Sequence, residues 1–160
     1  MKNLARFGAT ASVTIALAVG GMIAAAPASA APAAPTARGA ECNAYGTVGL
    51  DSAASVTTQI PAVRVGHPGG TYTYNYSCAL RLGANNTGVT ALQKSLRYCH
   101  LFNTVAIDGA YGPNTETAVR IMQQDNGLTG DGIYGPVTRG VLKFRATNGL
   151  CYPVQSYRGF

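Results

Sequence analysis

Residues 108–120 read DGAYGPNTETAVR, and residues 131–143 read DGIYGPVTRGVLK. Both copies carry the pattern D-G-x-Y-G-P-x-T, and each divides into a turn followed by a helix start. Asp108 and Asp131 can accept bonds from nearby backbone N–H groups, while Gly109 and Gly132 are free to take positive φ. Pro113 and Pro136 suit the first helical position, where a missing N–H costs nothing and φ is already set. Thr115 and Thr138 fall in the first helical turn, where a hydroxyl bonds locally. Tyr111 and Tyr134 escape this account. They precede the N-caps, where an apolar partner one turn on would staple them, but those partner positions hold Glu116 and Arg139. Each ring therefore packs elsewhere in the fold or faces a ligand. Burial is the favoured reading, because tyrosine commonly buries its ring with the hydroxyl at a wet edge.

Upstream of the first copy, GVTALQKSLRYCHLF over residues 88–102 has a period near 3.6. Val89, Leu92, Leu96 and Cys99 share one stripe, with Gln93, Lys94 and Arg97 off its centre. Asn86 and Thr87 are suitable N-caps. The second helix is expected from Pro113 to about Asn126, with Ala118 and Met122 inward together with one or both of Val119 and Ile121. Gly127 then fits the left-handed stop position and Leu128 the hydrophobic contact beyond it. The third helix is expected from Pro136, burying Val137, Val141, Leu142 and Phe144 and ending before TNGLC.

The N-terminal region has a different character. Lys2 and Arg6 precede a long Ala/Val/Ile/Leu stretch, and APASA ends in the small-x-small pattern of a signal-peptidase site. Residues 1–30 are expected to be a cleaved signal peptide and 31–40 an Ala/Pro-rich linker. Gly and Thr residues interrupt the apolar stretch, so a membrane anchor is disfavoured. The whole chain carries a net charge of +6; without Lys2 and Arg6, ten basic residues face six acidic ones, which leaves +4. The basic residues are scattered rather than striped. That pattern points away from nucleic acid and towards an anionic cell surface.

Cys42, Cys78, Cys99 and Cys151 make an even set in a small exported chain, and two disulfides are expected with the pairing open. None of the four shows C-x-x-C spacing, and only His67 and His100 could assist them, so no metal site is expected. Between Cys42 and Cys78, residues 55–65 and 71–77 alternate like strands around GHPGG, a hairpin pattern in which Pro61 marks an edge or an interruption. Tyr72, Tyr74 and Tyr76 line one face of the second run. Such a stripe reads as cross-strand packing ahead of a sugar platform.

The run from Val89 to Phe144 resembles the PG_binding_1 (PGBD-like) peptidoglycan-binding family. Val89, Leu92, Gln93 and Leu96 match its V-x-x-L-Q-x-x-L helix. Asp108, Gly109, Tyr111, Gly112, Pro113, Thr115, Ala118, Val119 and Gln123 match its second element. Gly127, Leu128, Asp131, Gly132, Gly135, Pro136 and Thr138 match its third. Met122 stands where the family usually has Phe or Leu, a tolerable apolar swap. The resemblance implies recognition of bacterial cell wall, a polymer offering sugar faces, amides and carboxylates. Asp108, Tyr111, Asp131, Tyr134 and Arg139 are its candidate ligand-binding residues.

The expected fold is therefore mainly α. A compact, disulfide-stabilised three-helix bundle spans residues 79–151, with a β-hairpin extension over 41–78 and a tail over 152–160. Catalysis is not expected. Two histidines are too few for a three-ligand zinc site, and the cysteines are committed to pairing. The carboxylates of Asp108 and Asp131 are explained by their turns, while Glu41 lies beside the linker and Glu116 on an exposed first turn. The function that follows is that of a secreted, monomeric wall-binding protein with no cofactor and no membrane contact after leader cleavage, with a cell-wall hydrolase as a candidate partner. A structural or interaction protein that keeps the bundle without binding wall is the alternative.

Overall fold

The computed structural model describes residues 39–50 and 55–157. The expected leader and most of the linker lie outside these residues. Among the described residues no helix is long and apolar enough to cross a membrane.

The described residues form seven strands and three helices in the order β1 (Ala40–Glu41), β2 (Ala44–Gly49), β3 (Thr57–Gly66), β4 (Tyr72–Asn75), β5 (Cys78–Ala79), α1 (Thr87–Cys99), α2 (Pro113–Asp125), α3 (Pro136–Val141), β6 (Lys143–Arg145) and β7 (Cys151–Pro153). A single 3-10 turn, Val154–Ser156, closes the described chain. The expectation of a mainly α three-helix bundle is thus corrected. Strands form three small sheets: parallel β1–β5, antiparallel β2–β3–β4, and antiparallel β6–β7.

The helix α1 shows why. Beyond the expected stripe of Val89, Leu92 and Leu96, it also buries Ala91, Gln93 and Ser95. A helix covered over that much of its circumference has neighbours on several sides, and here those neighbours include strands. Lys94 Nζ donates to Gln59 Oε1 on β3 at 3.1 Å, and Ser95 Oγ donates to the Lys143 carbonyl on β6 at 2.6 Å. One apolar cluster joins Cys42, Ile60 and Leu80 of the N-terminal part to Val89, Leu92, Leu96, Val119, Tyr111, Tyr134, Leu142 and Phe144.

The start of α1 is tied directly to the first strands. Asn86 caps it, its Oδ1 accepting from the N–H groups of Gly88 and Val89, while its Nδ2 donates to the Cys42 carbonyl at 2.8 Å. Gly88 sits so close to β2 that a Cβ there would lie 2.5 Å from the Ala44 carbonyl oxygen.

α3 is shorter than its sequence suggests. Leu142 turns to an extended conformation with ψ 149°, and the chain continues as β6. From Leu142 to Ala146 burial alternates strictly, with Leu142, Phe144 and Ala146 inside and Lys143 and Arg145 outside. That period of two belongs to a strand. Val137, expected inside, is 69% exposed. By contrast α2 ends as its residues imply: Leu128 N–H reaches the Gln123 carbonyl, Gly127 N–H the Gln124 carbonyl, and Gly127 takes φ +71°.

β3 and β4 pair antiparallel around the GHPGG turn, with Arg64 opposite Tyr74 and Gly66 opposite Tyr72. β3 is the central strand of its sheet, flanked by β2 as well. Pro61 tolerates this because β4 reaches only to Val63, leaving a partner on one side of the proline. The cysteines pair as Cys42–Cys78 and Cys99–Cys151. Closing loops of 36 and 52 residues restricts the unfolded chain enough to stabilise the fold by about 4 kcal/mol each.

Candidate functional site

The repeated phrase forms two loops of one design, each held by a glutamine from the preceding helix. In the first, Gln93 Nε2 donates to Asp108 Oδ1 at 2.8 Å and to the Ala110 carbonyl at 2.9 Å, with Thr115 Oγ1 at 3.4 Å. Its Oε1 accepts from the N–H groups of Asp108 and Gly109. In the second, Gln123 Nε2 donates to Asp131 Oδ1 at 2.6 Å and to the Ile133 carbonyl and Thr138 Oγ1, both at 3.0 Å. Its Oε1 accepts from Gly132 N–H at 2.8 Å. Each aspartate also takes the N–H two residues on, from Ala110 or Ile133. Gly109 and Gly132 adopt φ +80° and +73°. An L side chain is strained there, so the glycine is required by the backbone.

Both glutamines are buried, at 1% and 3% exposure. Their bracing role was not visible from helical periodicity, which places Gln93 off the apolar stripe. The signal that could have found it is a glutamine following Leu92 and Met122 at equivalent points in two helices, each ahead of an Asp-Gly turn. A buried carboxamide that satisfies a loop's backbone on both sides rigidifies it more than a turn sequence does alone.

The five candidate residues fall into distinct settings. Asp108 is exposed, and its carboxyl is held below the usual range by the Ala110 N–H and then by Gln93. Asp131 is partly exposed at the equivalent corner. Tyr111 is 1% exposed and donates its hydroxyl to the Gly132 carbonyl at 2.8 Å, linking the first loop to the second. Tyr134 is fully buried, and among the described residues its hydroxyl has no hydrogen-bond partner. Burial raises the pKa of both phenols. The Tyr134 backbone pairs with Leu80 in both directions, and Arg139 Nη1 donates to the Tyr76 carbonyl, so the second loop is also fastened to the strand region. The structure brings Tyr111, Tyr134 and the two loops together around one core, with both aspartates at the surface.

Two open clefts lie on the surface of the described residues. The smaller, about 360 Å³, lies against the first loop and is lined by Asp108, Ala110, Pro113, Asn114 and Thr115, with Gln93 at its base. The larger, about 590 Å³, lies between β3, α1 and the stretch formed by β6 and the turn that follows it. Away from both, Tyr72 and Tyr74 on β4 are 51% and 42% exposed, and the Arg64 guanidinium lies 3.5 Å from the Tyr72 ring centroid. No group of three or more His, Cys, Asp or Glu side chains is gathered among the described residues.

Both glutamine-braced loops fall within the stretch that comparisons with known proteins match. Residues 85–142 match the family model described as "Putative peptidoglycan binding domain". The matched segment begins at Asn85, which bridges to Ala110 of the first loop, and ends at Leu142, where α3 gives way to β6. The chain is 40% identical over 62 residues to N-acetylmuramoyl-L-alanine amidase CwlL of Bacillus licheniformis, covering 36% of this chain and 17% of that protein. It is 35% identical over 103 residues to the zinc D-Ala-D-Ala carboxypeptidase of Streptomyces albus G, covering 64% of this chain and 39% of that one. The chain thus spans well under half the length of either enzyme. A solved peptidoglycan-binding protein from Clostridioides difficile, in complex with glutamine hydroxamate, aligns at 28% identity with a TM-score of 0.39, over 59% of this chain and 53% of its own.

Proposed function

We propose that this chain is an exported, non-catalytic protein that holds peptidoglycan through its peptidoglycan-binding domain. The observation that carries this reading is the pair of glutamine-braced loops within the family-matched residues 85–142. Rigid loops with exposed polar corners suit a polymer whose repeating amides and hydroxyls present themselves in a fixed geometry, because little ordering remains to be done on binding. In this reading Asp108 and Asp131 meet the wall at the two corners. Tyr111, Tyr134 and Arg139 set the position of those corners from beneath. The likeness to parts of two wall hydrolases supports a further role, presenting wall to a separate hydrolase or retaining one there.

Incubating the full chain with purified insoluble peptidoglycan, and with chitin as a control, tests this directly. Sedimentation with peptidoglycan well above chitin is expected, at constant turbidity and with no release of new reducing ends or amino groups. A fall in turbidity with such release overturns the non-catalytic part of the proposal, and an unbound protein overturns all of it.

A further inference from the structure

The larger cleft is built from both the peptidoglycan-binding domain and the strands outside it. One wall comes from α1, which contributes Lys94, Ser95 and Tyr98; β2 and β3 contribute Thr47, Thr58 and Gln59; the last wall runs from Phe144 to Gly149. These walls are fixed to one another. Thr58 Oγ1 donates to the Arg145 carbonyl at 2.7 Å, and Thr57 and Thr147 exchange two hydrogen bonds, at 2.8 and 3.1 Å. The Cys99–Cys151 disulfide runs beside them: Tyr98 precedes Cys99, and Arg145 pairs with Cys151 across β6–β7. The bond therefore fixes Tyr98 and Arg145 relative to each other, and the Arg145 guanidinium lies 4.5 Å from the Tyr98 ring centroid.

The lining has a consistent chemistry. Two cations, Lys94 and Arg145, stand among threonine hydroxyls and the Gln59 amide, and no carboxylate is present among the described lining residues. Lys94 Nζ donates once, to Gln59, leaving two ammonium donors, and Arg145 donates once through Nε, to the Gly149 carbonyl. Tyr98 is 46% exposed, which leaves ring surface for a ligand. An aromatic ring beside hydroxyls and an amide fits a sugar ring, with its apolar face and rim of hydroxyls. Two nearby cations fit an acidic substituent on that sugar. A volume near 590 Å³ suits a ligand of disaccharide size, since small-molecule clefts span roughly 300–1,000 Å³.

The geometry points to this cleft as a second binding site, distinct from the twin loops, for a saccharide bearing a carboxylate. It rests on the wall-binding reading only for the source of that sugar, the glycan strand with its lactyl or peptide carboxylates. The occupant lies against Tyr98, with its carboxylate between Lys94 and Arg145 and its hydroxyls towards Gln59, Thr47 and Thr147.

The test titrates the full chain with three soluble probes, followed by amide chemical shifts and calorimetry. These are the acidic disaccharide N-acetylglucosaminyl-N-acetylmuramic acid, neutral di-N-acetylchitobiose, and inorganic phosphate. The acidic disaccharide is expected to bind at least about tenfold tighter than chitobiose, as removing a charge-assisted contact commonly does, and to shift amides around Tyr98, Arg145 and Thr147. Lys94→Gln with Arg145→Gln should weaken it about tenfold or more and abolish its preference over chitobiose. Tyr98→Ala should weaken both sugars together. All variants should keep the wild-type spectrum away from the cleft, so lost binding is separable from lost folding. Equal binding of the two disaccharides, phosphate binding as tightly as the acidic sugar, shifts confined to the twin loops, or unchanged affinity in the double variant each overturns the inference. Failure of the wall-binding reading appears separately, as a full chain that takes up the acidic disaccharide but does not sediment with wall.

Discussion

At Gln93 one carboxamide holds five polar atoms of the first loop, and Gln123 holds four in the second. Gln93→Leu or Gln123→Leu keeps most of the volume but strands a buried glycine N–H and an aspartate. We expect either change to lower stability by about 2–4 kcal/mol in chemical denaturation. The two tyrosines separate cleanly by a single oxygen. Tyr111→Phe loses the bond to the Gly132 carbonyl and should cost about 1–2 kcal/mol, whereas Tyr134→Phe removes a hydroxyl without a partner among the described residues and should be neutral or stabilising. His100 accepts the Lys143 N–H through Nε2 at 3.0 Å, and burial lowers its pKa. The folded protein thus binds this proton more weakly than the unfolded chain. Its contribution to stability is complete above about pH 6.5 and is lost as pH falls through the depressed folded value. Urea midpoints measured from pH 7 downward should fall less steeply in His100→Gln. The turn glycines and helix-starting prolines were legible because their roles are local. The glutamine braces were not, because the atoms they join stand 8 to 22 residues away.

Among the elements, α1 carries the most, and its N-terminal turn leaves no room for a side chain. Gly88→Ala places a Cβ against the Ala44 carbonyl, so backbone must move on β2 or α1. A loss of about 1–3 kcal/mol is expected despite alanine's better helix propensity, checked by thermal or urea unfolding. An exposed helical glycine changed the same way would gain stability, which makes the sign the informative result. The helices α1 and α2 were legible from period and caps, down to the Gly127–Leu128 stop. The end of α3 was not: VLKF fits a helical stripe and a strand equally well over so short a run. Thr57, Thr58 and β7, distant in sequence, draw the segment into a hairpin.

For the molecule as a whole, the strands before Cys78 are part of the core rather than an attachment to it. Cys42, Ile60 and Cys78 are fully buried in the cluster that holds Leu92 and Tyr134. Removing residues 1–78 should therefore expose apolar core and leave a chain without a cooperative unfolding transition by calorimetry, even though the family-matched residues remain. What the strands pack against was hidden, because alternation shows which face of a strand is apolar but not which helix will cover it. The central claim is that the folded chain holds peptidoglycan, and an equilibrium depletion isotherm on purified insoluble wall tests it most directly. The account predicts that the protein leaves the supernatant saturably as wall is added, and that reduced, unfolded protein does so far less. Wild-type protein remaining in solution at a large excess of wall would contradict it.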